Sequence, residues 1–139
     1  MYCSKADILE RLEEQVLAQL TDDAAGVTVD DAKVDRAIAD AQAEIDGYVG
    51  TRRPVPLSPA PDIIRKVCVE LAIYHLYSRR MGAPDEWRTR YEDDRRWLEQ
   101  AAAGRVSLGG GDPQGAPSAA APEAASQPRT FSRGLLREF

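Results

Sequence analysis

The stretch Ile63–Ser78 leaves this chain few ways to fold. It reads Ile63-Ile64-Arg65-Lys66-Val67-Cys68-Val69-Glu70-Leu71-Ala72-Ile73-Tyr74-His75-Leu76-Tyr77-Ser78, and between Val67 and Leu76 only Glu70 carries a charge. Written as a helix it is apolar on nearly every side, and such a helix must be covered on every side. At ~1.5 Å per residue it is roughly 24 Å long, the width of a small domain. A membrane span needs about 20 mainly apolar residues; the flanking pairs Arg65-Lys66 and Arg79-Arg80 leave too few. The stretch therefore predicts the central helix of a small all-α bundle, with the flanking segments as its coat.

Those segments carry helical spacing. Over residues 4–20 the apolar positions Ile8, Leu9, Leu12, Val16, Leu17 and Leu20 predict one helix with one buried stripe, capped by Ser4 or Asp7. Thr28 or Asp30 opens a second helix with the stripe Val34, Ala37, Ile38, Ala41, Ile45 and Tyr48. Asp35, Asp40, Gln42 and Glu44 are expected to face away, and Gly50 is a candidate residue beyond the helix end. Much of the stripe is alanine, so a neighbouring helix can approach closely. Thr51–Pro61 holds Pro54, Pro56, Pro59 and Pro61 and reads as an extended connection. Pro84-Asp85-Glu86 opens the last helix, with Trp87, Tyr91, Trp97, Leu98, Ala101 and Ala102 inward and Gly104 as its stop. That gives about four helices, with Ile64, Val67, Cys68, Leu71, Trp87, Tyr91 and Leu98 as core.

Charge is unevenly spread. Residues 1–50 sum to -8, 51–104 to +2 and 105–139 to +1, a net charge of -5. An acidic chain does not present the basic field of a dedicated nucleic-acid binder, though it suits a surface that must not hold on to DNA. Cys3 and Cys68, far apart in sequence, read as isolated thiols with neither a disulfide framework nor metal spacing. The start of the chain lacks the apolar core of a signal peptide, so the expectation is manufacture in a cytoplasm.

From Gly109 the composition changes. Residues 109–130 are rich in glycine, alanine, proline and serine and form a linker between a helical body at 1–108 and a short apolar, basic end at 131–139. That end holds Phe131, Arg133, Leu135, Leu136, Arg137 and Phe139 and reads as a docking peptide. Fully extended, residues 105–139 reach about 115 Å at roughly 3.3 Å per residue, enough to cross onto a neighbouring molecule.

Catalytic and metal signatures are missing. His75 is the only histidine and reads as a satisfied core or interface residue. Gly109-Gly110-Gly111 has no Gly-Lys-Ser/Thr continuation, so it is no phosphate loop. Asp22-Asp23 and Asp30-Asp31 lack calcium-loop spacing and read as caps and solvated charge. Arg52-Arg53 and Arg79-Arg80 are weak candidates for phosphate contact. No catalytic residue, metal ligand or cofactor is assigned.

The order of these features resembles the head–tail connector (adaptor) proteins of Mu-like tailed phages and prophages. The likeness begins at Tyr2, continues through Asp7-Ile8 and Leu20-Thr21-Asp22, and is strongest over Ala37–Tyr48. It goes on through Arg53, Pro56-Leu57, Ala72, Tyr74, Leu76-Tyr77, Arg90-Tyr91 and Trp97-Leu98, and ends with Gly104–Gly109. Pro54 departs from the family, which more often has an aromatic after the arginine. The resemblance implies a virion structural protein at the head–tail interface. It would form a homo-oligomeric ring of twelve copies beneath the portal protein, around the channel through which DNA passes without sequence-specific binding. A stopper or tail-completion protein would follow, and no membrane is involved. On that reading residues 131–139 anchor the portal, while Arg52, Arg53, Pro54 and Pro56 make subunit or next-ring contacts. The competing readings are a small helical DNA-binding or regulatory module, which calls for a basic recognition helix, and a small enzyme with a scattered site.

Overall fold

The computed structural model describes residues 1–109. In chain order they form α1 (Lys5–Leu9), α2 (Glu14–Thr21), α3 (Asp31–Val49), α4 (Asp62–Arg80) and α5 (Asp85–Ala102). Helix α4 is the predicted axis: α1, α2, α3 and α5 all pack on it, and α3 also touches α1, α2 and α5. Ile64, Cys68, Leu71, Ala72 and Ile73 are fully buried, and Val67, Val69 and Leu76 nearly so. Burial of each large aliphatic side chain is worth about 1.5–3 kcal/mol, so the axis contributes heavily to the packing energy. Leu98 is also fully buried and Trp87 nearly so, whereas Tyr91 is half-buried at the edge. Among the described residues no helix is long and apolar enough to cross a membrane.

The single helix expected over residues 4–20 is two helices joined by a turn at residues 10–13. The reason is geometric. Ile8 and Leu17 are both fully buried, yet nine positions at about 100° each would place them on opposite sides of one straight helix. Breaking the helix lets α1 and α2 wrap α4 and bury Ile8, Leu12, Leu17 and Leu20 together. A capping box between Ser4 and Asp7 sets the start of α1. At the turn, Arg11 donates to Glu70 at 2.7 Å.

Capping residues mark several of the remaining boundaries, while no side chain caps the starts of α2, α4 and α5. Asp30 accepts from the amides of Ala32 and Lys33 and starts α3. Gly50 does not take the left-handed conformation expected beyond a helix end; its φ is -60°, because the chain tightens there into a turn in which the amides of Arg52 and Arg53 donate to the Val49 carbonyl. Left-handed glycines do end the other two long helices, Gly82 after α4 and Gly104 after α5.

Two acids, Asp94 and Glu44, are turned inward, and Glu44 is one of those expected to face solvent. Asp94 is 6% exposed; it stands seven positions after Trp87 and four before Leu98, on the buried side of α5. It lies beside Glu70, 3% exposed, within a cluster of Arg11, Lys66 and Arg90. Burial first, then the Glu70 carboxylate, push Asp94 up to about 8. Burial also opposes charge on Glu70, but its hydrogen-bonding and cationic neighbours, Lys66 and Arg11 among them, outweigh it and hold that carboxyl below its ordinary value. Glu44 is half-buried rather than outward: Tyr91 donates to it at 2.8 Å and His75 Nε2 lies 3.2 Å away. His75 is thus the satisfied histidine that its isolation in the sequence predicts. Tyr91 stacks on Tyr74 with centroids 3.9 Å apart, which ties α5 to α4.

Candidate functional site

The α3–α4 connection is short of backbone donors, because four of the eleven residues from Thr51 to Pro61 are prolines. It owes its shape to residues elsewhere. Leu57 is buried, and its amide donates to the Tyr2 hydroxyl at 2.8 Å. That hydroxyl in turn donates to Asp46 on α3. Burial, together with the Asp46 contact, pushes the Tyr2 phenol up to about 12, so it remains a donor. The peptide bonds before Pro56 and Pro59 are cis. Tyr2 was legible as part of the family likeness, but its role as the pin of this loop was not.

Around that pin, Arg53, Pro54, Pro56, Leu57, Ser58, Pro59, Ala60 and Pro61 line a pocket of about 350 Å³. Pro54, Pro56, Ser58 and Pro59 are exposed at its rim, as is Val55 beside them. Nη1 of Arg53 is buried and has no hydrogen-bond partner among the described residues. An unpaired buried donor is costly, so this nitrogen has room for an acceptor beyond the described residues. Arg52 lies against the turn after α5. A Cβ on Gly104 would lie 1.8 Å from Arg52 Nη1, so glycine serves there both for its φ of +78° and for the room it leaves. Leu108 is buried, and a Cβ on Gly109 would come to 4.0 Å from Cβ of Pro61. The described chain thus ends beside the proline loop.

The structure therefore gathers Arg53, Pro54 and Pro56 at one end of the bundle, with Arg52 adjoining. The other predicted site residues, Phe131, Arg133, Leu135, Leu136, Arg137 and Phe139, lie outside the described residues, as does the linker beyond Gly109.

A second concavity of about 330 Å³ runs along α3 and α4 and is lined by Lys33, Arg36, Asp40, His75 and Arg79, with Ala37 and Leu76 as its floor. Its cations are engaged. Lys33 and Arg79 both reach Asp23, at 2.9 and 2.6 Å, and Arg36 lies 3.9 Å from Asp40. The Arg79-Arg80 pair, weighed above for phosphate contact, instead holds the α2–α3 turn, since Arg80 donates to the carbonyls of Asp22 and Gln19 at 2.6 and 3.1 Å. Among the described residues no group of three or more His, Cys, Asp or Glu could hold a metal ion.

The chain is a phage protein: it belongs to the Bacteriophage Mu, Gp36 family, whose sequence model matches residues 2–126. It is similar to the Mu-like prophage FluMu protein gp36 of Haemophilus influenzae, 36% identical over 109 residues that cover 78% of this chain and 76% of that protein. It is also similar to Gene product J of Escherichia phage Mu, 38% identical over 81 residues, 58% of this chain and 55% of that one.

Proposed function

We propose that this protein is a head–tail connector, a ring-forming adaptor that joins the portal of a DNA-filled head to the stopper or tail and surrounds the DNA channel. Membership of the Mu Gp36 family carries the reading. Three features of the body support it. The proline loop offers a preformed rim whose buried Arg53 nitrogen lacks an acceptor. The described chain ends at Gly109 beside that rim, close to Pro61. The acidic N-terminal half presents a surface along which DNA slides without being held. The adaptor acts by binding, with no turnover: segment 131–139 is the portal anchor, and Arg52, Arg53, Pro54 and Pro56 meet the next subunit or ring. Identical anchors displayed on one ring, probed by one partner, gain strength together.

Among the described residues the Arg79-Arg80 pair, a candidate for phosphate contact on the DNA-binding alternative, is engaged within the chain. Loss of the protein is expected to leave full heads and finished tails unjoined in electron micrographs of lysates. Joined, infectious particles made without it would overturn the connector role. Deleting residues 129–139 is expected to leave a folded body that no longer attaches to portal-bearing heads; normal attachment would remove the tail as anchor.

A further inference from the structure

Cys3 and Cys68 stand 65 positions apart in sequence, and the reading of them as isolated thiols does not survive the fold: their sulfurs are 3.1 Å apart. Both residues are buried, Cys3 at 5% exposure and Cys68 at zero. Cys3 lies on the extended segment before α1, and Cys68 lies on the inward side of the axis helix. Nor is Cys3 a fraying end. Tyr2 on one side is tied to Asp46 and Leu57, and Ser4 on the other caps α1. Two thiols fixed in contact from both sides need little backbone movement to be joined.

We propose that Cys3 and Cys68 are an oxidation site, at which a reversible intrachain disulfide clamps the N-terminal segment to the central helix. The oxidant is a small disulfide such as oxidised glutathione. The Cys3 thiol loses its proton to solvent, and the thiolate attacks one glutathione sulfur. The S–S bond of the oxidant breaks, one glutathione thiol leaves, and a mixed disulfide remains on Cys3. Cys68 then gives up its proton and displaces the second glutathione. Two protein thiols become one disulfide while one glutathione disulfide is reduced to two thiols. Cys3 is the entry point, because it sits on the non-helical segment before α1, whereas Cys68 is enclosed in a helix. The Cys3 contact, followed by burial, pushes the Cys68 thiol well above its ordinary value, so it reacts second. In a reducing compartment the pair stays open; in an oxidising medium it closes.

The test uses the full chain. Folded protein is incubated with oxidised glutathione, then unfolded in an alkylating agent for intact-mass measurement, and melted in parallel with and without dithiothreitol. Expected are a fall from two alkylatable thiols to none, a mass lower by two hydrogens, and a Tm higher by roughly 10 °C or more, all reversed by reductant. Cys3→Ser is expected to show none of these changes. Any of four results would overturn the proposal: a persisting glutathione adduct, a disulfide-linked dimer, thiols that oxidise only after the protein is unfolded, or a disulfide that forms without raising Tm. None of these four requires a variant that folds.

Discussion

Two of the chain's three neighbouring-arginine pairs have opposite fates. Arg79-Arg80 closes α4, where cations complement the helix dipole, and faces an acidic turn. Arg79 meets Asp23, and Arg80 meets Asp23 and two main-chain carbonyls, so that end of the bundle is electrostatically complete. Arg52-Arg53 follows α3 and faces a proline run that contains no carboxylate between Pro54 and Pro61. Arg52 finds the Gly104 turn; Nη1 of Arg53 finds no acceptor within the described body. The same dipeptide is a staple where the chain places acids opposite it and an open contact where it does not. The function of an arginine is thus set by its neighbours, and the end left incomplete is the one assigned to partners.

The contrast can be broken at several points. The largest effect is expected from Arg53→Ala: on the proposed reading, association with the next subunit or ring falls at least about tenfold, because the acceptor proposed for Arg53 there is lost, while Tm stays within ~2 °C of wild type. A large loss of Tm with unchanged association would make Arg53 a structural residue like Arg80. Next, Tyr2→Phe removes both hydrogen bonds of the loop pin and costs about 1–2 kcal/mol. Its signature is faster hydrogen exchange at the Leu57 amide with little change at α4. Arg80→Ala is expected to cost about 1 kcal/mol, a Tm loss of roughly 4–8 °C, with attachment intact. The smallest effect is at Asp22, whose carboxylate accepts from the amides of Ala24, Ala25, Val27 and Thr28. Those bonds, that from Ala25 foremost, hold its carboxyl below the usual range. A depressed carboxyl stabilises the fold above the unfolded value, near ~4, and that contribution is lost as pH falls through the folded value. The Tm gap between wild type and Asp22→Ala is therefore expected to narrow on acidification; a constant gap would sink the assignment.

Much of this architecture was legible in the sequence. The all-round apolar stretch identified the axis, the stripes of α3 and α5 identified its neighbours, and Asp30 and Gly104 marked boundaries. What escaped depended on groups distant in sequence. The break at residues 10–13 follows from where α4 lies, since both Ile8 and Leu17 must reach it. Asp94 and Glu44 look like surface acids until Glu70, His75 and Tyr91 are placed beside them. The spacing of Asp94 from Trp87 and Leu98 was the one available signal, masked by its charge. The proline loop was read as an extended connection, yet nothing within it announces that Tyr2 gives it form. Cys3 and Cys68 became a pair for the same reason: a chain start folded back onto a helix.

That returning start also bears on the order in which the body is built. Tyr2 emerges from the ribosome 55 residues ahead of Leu57, so the proline rim is finished only once both ends of that span have been made and α3 stands between them. A nascent chain that stops short of Leu57 lacks the bond by which Tyr2 shapes the rim.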